Sequence, residues 1–291
     1  MSDAIHVAIV GLGNMGTPMA TRWLDAGYKV HGFDLSEQAC QRFAAAGGTL
    51  HETASAAIAA SSVAILMLPN SAIVDQVLTD ALNTHALAAG MVIIDMSSSE
   101  PTASQKNAQR LEAHGSHFID APVSGGVRGA QAGTLTIMVG GDERQVENQR
   151  GLLEHLGSVV RVGPVGAGHA VKALNNLLSA THLWMTSEAV LIGEQFGVDA
   201  ETILRAFNGS SGRSGSSEAK WPKFILPGTY DSGFAGRLML KDAKIATGLA
   251  REVGLPSALG EQVVAVWTKA VDELPPGADH TEIVRWLRER E

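Results

Sequence analysis

Lys172 and Asn176 stand four residues apart in the stretch Val165-Gly-Ala-Gly-His-Ala-Val-Lys-Ala-Leu-Asn-Asn176. On a helix beginning near Gly168 the two would project side by side from one face, an ammonium beside an amide. Such a pair can move a proton and orient a polar substrate. A free lysine titrates near ~10.4, so desolvation or a neighbouring cation must bring it down before it serves near neutral pH. An isolated helical lysine is usually a solvated surface residue. Here an apolar surround, a glycine entry turn and two asparagines argue for a catalytic pair.

A second constellation lies near the start of the chain. The apolar run Ile5 to Val10 ends in Gly11-Leu12-Gly13-Asn14-Met15-Gly16, and a helix-like stretch follows to Ala26-Gly27. Strand, glycine loop and helix come in the order that a dinucleotide site requires. Gly11 permits the tight turn, Gly13 lets a pyrophosphate approach the backbone, and Gly16 allows close packing. Pro18 falls in the first helical turn, where no N–H is needed.

The next strand, Lys29 to Phe33, ends in Asp34, 23 positions after Gly11. That is the spacing of an acid that accepts from a ribose hydroxyl. Asp34 could instead be a turn residue capping a helix from Ser36. With Leu35 and Ser36 following and no arginine beside it, the carboxylate would repel a 2′-phosphate. NAD is therefore favoured, with NADP possible.

Further candidates sit at strand ends. Leu68-Pro69-Asn70 and Ser97-Ser98 follow apolar strands and would face the cofactor, although each could be an ordinary strand-to-helix connection with a capping Ser or Asn. Ser124, Gly125 and Gly126, in the loop Pro122 to Gly129, expose backbone N–H groups suited to a carboxylate, or form a solvent-facing turn. Gly209 to Ser217 gathers small residues around Arg213 and reads as a mobile linker or an anion loop. Ten histidines show no H-E-x-x-H or similar spacing, so no metal site is expected.

The elements that must position these groups alternate through the first half. Strands are expected at Val63–Leu68, Met91–Met96, His117–Ala121, Leu135–Val139 and Val159–Val162. Helices are expected at Ser36–Ala46, Ala54–Ala60, Ser71–Leu82, Pro101–His114 and Glu143–Leu156. Continuous apolar strands point to a parallel sheet covered on both faces. After Gly163-Pro164 the strand pattern stops. A long, mostly apolar helix, about 168–196, is followed by helices at Ala200–Phe207, Met239–Val253, Ser257–Asp272 and Thr281–Arg290. The expected architecture is α/β: a Rossmann-type dinucleotide-binding domain over 1–163, then an all-helical substrate and dimerisation domain over 164–291.

Bulk properties narrow the classes. The chain has 291 residues, 45% of them hydrophobic, and a formal net charge of -8 without any basic run, which speaks against nucleic acid as a partner. One cysteine, Cys40, excludes an intrachain disulfide and points to a reducing, cytoplasmic location. The start Met-Ser-Asp-Ala-Ile-His has no basic lead of a signal peptide, and the apolar runs are too short to cross a bilayer.

These features together resemble the 3-hydroxyacid dehydrogenase family, which includes 3-hydroxyisobutyrate dehydrogenase, tartronate semialdehyde reductase and 2-(hydroxymethyl)glutarate dehydrogenase. Four stretches carry the likeness: Gly11 to Ala20; Asp120-Ala121-Pro122-Val123-Ser124-Gly125-Gly126 running to Gly133-Thr134-Leu135; Gly166 to Asn176; and Lys241-Asp242. The resemblance implies an NAD(P)-dependent, metal-independent enzyme interconverting a small 3-hydroxy carboxylate and its semialdehyde. It implies Lys172 as general acid/base, Asn176 as substrate-orienting, Ser124 to Gly126 as the carboxylate cradle, and Lys241 beside the nicotinamide, where it could also supply the charge neighbouring Lys172. Ser210 to Ser214, around Arg213, looks most like the 2-(hydroxymethyl)glutarate enzymes. With the long apolar helix, the family also implies a homodimer or homotetramer. Two alternatives remain: an imine reductase built on a similar plan, or a non-catalytic dinucleotide-binding module. Lys172 speaks for alcohol chemistry against the first, and the intact Lys172, Asn176 and Lys241 set counts against the second.

Overall fold

The computed structural model describes residues 5–290. The reading of the extreme N-terminus as lacking a leader falls largely on residues 1–4, outside the described residues. Two compact units divide at Met1–Lys172 and Ala173–Glu291.

The first unit runs β1 (His6–Val10), α1 (Gly16–Asp25), β2 (Lys29–Phe33), α2 (Glu37–Ala45), β3 (Thr49–Leu50), α3 (Ala54–Ala59), β4 (Val63–Leu66), α4 (Ser71–Asn83), β5 (Val92–Asp95), α5 (Pro101–Glu112), β6 (His117–Asp120), β7 (Val123–Ser124), α6 (Gly126–Ala132), β8 (Leu135–Gly140), α7 (Glu143–Glu154) and β9 (Gly157–Gly163). Among the described residues the strands form one sheet in the order β3-β2-β1-β4-β5-β6-β8-β7, with β9 beside β8. The pairs from β3 to β6 are parallel, and β8 runs antiparallel to β6 and β7. Strand order reverses at β1, so the loop leaving β1 opens at a topological switch point, where open α/β sheets bind their ligands.

Alternate residues of the central strands enter different cores. Val7, Ile9, Val63, Ile65, Val92 and Ile94 pack with Trp23 of α1 and Phe43 of α2. Ala8, Val10, Ala64, Leu66 and Ile93 pack with Leu78 of α4 and Leu111 of α5 on the other face. Burial on both sides is why these strands read as unbroken apolar runs. Trp23 is fully buried and its indole N–H donates to the Leu152 carbonyl at 2.9 Å.

Helix α8 (Ala167–Gln195) is continuous through the division, which falls between Lys172 and Ala173. The second unit continues with α9 (Ala200–Asn208), a π-helix (Ser216–Ile225), α10 (Gly236–Glu252), α11 (Ala258–Glu273), a 3₁₀ turn (His280–Glu282) and α12 (Ile283–Arg288). Its core gathers Trp184, Trp221, Trp267 and Trp286 around Leu183, Ile203 and Val263. No helix of the described residues is long and apolar enough to cross a membrane.

Two expectations are corrected. The segment Pro122 to Gly129 is not wholly a loop: Val123–Ser124 pair with β8, and a helix begins at Gly126. Gly125 and Gly126 take φ of 129° and 62°, turning the chain out of β7 straight into α6. At the end of the stretch Gly209 to Ser217, Ser214 N–H donates to Ser217 Oγ at 2.9 Å, and Ser217 N–H returns to Ser214 Oγ at 3.2 Å. This reciprocal pair leads into the π-helix, which contains Pro222 and has no counterpart among the expected elements. The helix expected over Thr281–Arg290 is a 3₁₀ turn continued by α12, anchored by the capping box of Asp279 and Glu282.

Candidate active site

In the first unit the glycine loop is built by exclusion of side chains. Gly11 has φ of 99°, and a Cβ there would collide with the Met67 carbonyl; at Gly16 it would collide with the Gly11 carbonyl. Gly16 thus packs on the loop itself rather than chiefly on the strand. At Gly13 a Cβ would meet nothing within 4 Å. A groove of about 420 Å³ opens there, lined by Gly13, Asn14 and Thr17 among others. No side chain caps the first turn of α1 at Met15. An open glycine before an uncapped helix N-terminus fits a dinucleotide pyrophosphate, which backbone N–H groups and the helix dipole would hold.

Asp34 follows the end of β2, and both of its carboxylate oxygens accept backbone N–H groups. Its Oδ1 accepts from the Ser36 N–H at 2.7 Å, while Oδ2 accepts from the Leu12 N–H at 2.6 Å. Capping of α2 itself falls to Ser36, whose hydroxyl accepts from Ala39 N–H at 3.3 Å.

The loops after β4 and β5 are tied together. Ser97 is buried, and its Oγ accepts the Leu68 N–H at 2.9 Å; its own N–H reaches Asp95 Oδ1 at 3.0 Å. Ser97 is thus neither a helix cap nor an open side chain; what it leaves for a ligand is the loop it shapes. Asn70, beyond Pro69, caps α4 by accepting from Ile73 N–H at 3.1 Å.

Lys172 is 8% exposed, in the second turn of α8. Four residues on, Asn176 is 5% exposed. In the second unit Asn176 Nδ2 donates to Asp242 Oδ2 at 2.6 Å, and Asn175 Nδ2 donates to Asn176 Oδ1 at 3.2 Å. Lys241 Nζ lies 3.5 Å from Asp242 Oδ1, an atom with no hydrogen-bond partner among the described residues. Asp242, 2% exposed, was not singled out as a site residue by sequence reasoning. Its one signal was its place beside Lys241, since its partner Asn176 lies 66 residues away. Arg213 is exposed and paired with Glu218, Nη1 to Oε1 3.6 Å. Among the described residues no group of three or more His, Cys, Asp or Glu is placed to hold a metal ion.

Residues 6–166 match the family described as the NAD binding domain of 6-phosphogluconate dehydrogenase, and residues 166–287 the NAD-binding domain of NADP-dependent 3-hydroxyisobutyrate dehydrogenase. The 2-(hydroxymethyl)glutarate dehydrogenase of Eubacterium barkeri is 40% identical, with 88% of this chain and 86% of that protein covered.

The chain belongs to the 3-hydroxyacid dehydrogenase family.

The NAD-dependent L-serine dehydrogenase of Pseudomonas aeruginosa is 38% identical, with 87% of this chain and 86% of that protein covered. The structure of Mycobacterium tuberculosis 3-hydroxyisobutyrate dehydrogenase with L-serine superposes at a TM-score of 0.93, with 32% identity over 98% of this chain and 99% of that one. Imine reductases, at 22% identity or below, share the fold. Membership makes this chain an NAD(P)-dependent hydroxyacid dehydrogenase.

Proposed function

We propose that the chain reversibly oxidises a small 3-hydroxy carboxylate to its semialdehyde, with NAD preferred, through Lys172 as general acid/base. The observation that carries this reading is the burial of Lys172 on α8, four residues before an Asn176 whose amide is held by Asp242. In this reading the first unit holds the dinucleotide, with Gly11 to Gly16 at its phosphates, Asp34 at the ribose, and the loops at Leu68-Pro69 and Ser97 at its reactive end. Nicotinamide, when bound, supplies the hydride acceptor. The Lys172 amine takes the substrate hydroxyl proton as the carbinol C–H bond breaks, and returns it in reduction. Asn176 orients the reacting oxygen. Ser124, Gly125 and Gly126, at the start of α6, bind the carboxylate, and Lys241 with Arg213 adds positive charge for an anionic substrate.

Leu174, Leu178, Met185 and Ile192, each 45% or more exposed, follow one another at four and seven residues along α8. Such an apolar stripe supports self-association into a homodimer or homotetramer. A cytoplasmic location, resting on the single Cys40, completes the proposal.

The test is turnover of 3-hydroxyisobutyrate, glycerate, serine, threonate and 2-(hydroxymethyl)glutarate with NAD and with NADP, and of a ketoacid plus amine as the imine-reductase control. Lys172→Ala should bind NAD normally and lose turnover by about 10²–10⁴-fold. Near-normal activity of that variant would refute the assignment. For the oligomer, Leu178→Glu with Met185→Glu should lower the mass measured by light scattering; an unchanged mass would exclude this face as the interface.

A further inference from the structure

The first turn of α8 is held by two groups that the reaction does not use. Asp120, the last residue of β6, is fully buried; its Oδ1 accepts the Gly166 N–H at 2.7 Å and its Oδ2 the His169 N–H at 2.8 Å. The carboxylate therefore caps α8 across 46 residues of sequence, satisfying N–H groups that a helix start leaves open. Packing leaves little slack, since a Cβ on Gly168 would collide with the Met138 carbonyl and lie 2.8 Å from Asp120 Oδ2. Burial pushes the Asp120 carboxyl above the ordinary carboxylate range, against the opposing pull of His169 and the two N–H donors.

His169 extends the clamp to the loop after β5. Its Nε2 lies 3.1 Å from the Ser97 carbonyl, which can only accept, so Nε2 carries the proton. Its Nδ1 lies 2.7 Å from the Ser104 hydroxyl. Ser97 in turn takes the Leu68 N–H on its Oγ. An unbroken chain of hydrogen bonds thus runs from the loop after β4, through the loop after β5, to the turn of α8 immediately before Lys172.

We propose that Asp120 and His169 are positioning residues, fixing the first turn of α8, and with it the Lys172 amine, against the loops that follow β4 and β5. This rests on Lys172 being the proton carrier. Lys172 lies three residues beyond His169, so a tilt of that turn displaces its amine directly, and misplacement by about 1 Å can cost roughly 10²-fold in rate.

The experiment compares Asp120→Asn, His169→Ala and His169→Gln with Lys172→Ala in the full chain, using the best substrate of the panel and its carbinol-deuterated form. Asp120→Asn and His169→Ala should lower kcat by about 10–100-fold, with KM for the hydroxy acid and Kd for NAD within about threefold of the parent, and should raise the deuterium isotope effect. His169→Gln, which can still donate to the Ser97 carbonyl, should recover most of kcat. Should Asp120→Asn fail to fold, the His169 pair decides alone. A fall in Tm with kcat and isotope effect unchanged, or a His169→Gln no better than His169→Ala, would overturn the positioning role. If Lys172→Ala itself turns over normally, it is the proton-carrier assignment that fails.

Discussion

The backbone N–H of Leu12 donates to Asp34 Oδ2 at 2.6 Å, joining the glycine loop after β1 to the end of β2. One carboxylate therefore sets the loop, and in the proposed function its remaining lone pairs accept from the ribose. Replacing Asp34 by Asn keeps one acceptor oxygen for Leu12, removes the charge and turns an NH2 donor toward the Ser36 N–H. We expect Asp34→Asn to raise KM for NAD by roughly tenfold, the loss of one charge-assisted hydrogen bond, and to narrow the preference over NADP. Steady-state kinetics with both cofactors measures this; an unchanged NAD to NADP ratio would show that Asp34 does not select the ribose.

Gly16 has the tightest surround in that loop, facing the Gly11 carbonyl. Gly16→Ala should force the loop and α1 apart, destabilising the chain by about 1–3 kcal/mol and weakening NAD binding. Denaturant unfolding and NAD titration report the two effects. Gly27→Ala, where a Cβ meets nothing within 4 Å but φ is 89°, isolates backbone strain from crowding.

Asn176 depends on Asp242. Asp242→Ala would leave the buried Asn176 amide without its acceptor, costing about 1–3 kcal/mol, and would free it to turn away from substrate. Reduced stability together with a fall in kcat is the expected result. Loss of stability with kcat unchanged would mean that the pair is structural only.

A file of three histidines marks the β3 edge of the sheet: His6 Nδ1 lies 2.8 Å from His31 Nε2, and His31 Nδ1 lies 2.9 Å from His51 Nε2. Burial, then the proximity of His51 and His6, lowers the His31 pKa from 6.5. The folded chain thus resists protonation more than the unfolded one. His31 should contribute its stability above about pH 6.5 and lose it progressively as the pH falls toward its depressed folded value. Thermal melts between pH 7.5 and 5 should show a decline that His31→Gln makes shallower; identical profiles would exclude the file as its source.

The elements legible in the sequence are those written by near neighbours. The β1, glycine loop and α1 unit follows from an apolar run meeting three spaced glycines, and α8 from a long stretch with few polar interruptions. Helix α6 was hidden because Gly125 and Gly126 read as a turn, which they make, and a helix starts on its far side. The π-helix was hidden by Pro222, a residue that argues against helix, although Trp221 beside it is fully buried in the core of the second unit. Strands β3 and β7, two residues each, are too short for any periodicity to register.

By itself the sequence determined the order of elements, the glycine loop, the family, and the pairing of Lys172 with Asn176 along one helix, because each is expressed within a few consecutive residues or in motifs retained whole. Only the tertiary structure decided which distant acids bond to that helix: Asp120 at its first turn, and Asp242 at Asn176. Those contacts join residues 46 to 66 positions apart, and a carboxylate finds its N–H or amide partner only when strand and helix have packed closely enough to exclude water between them.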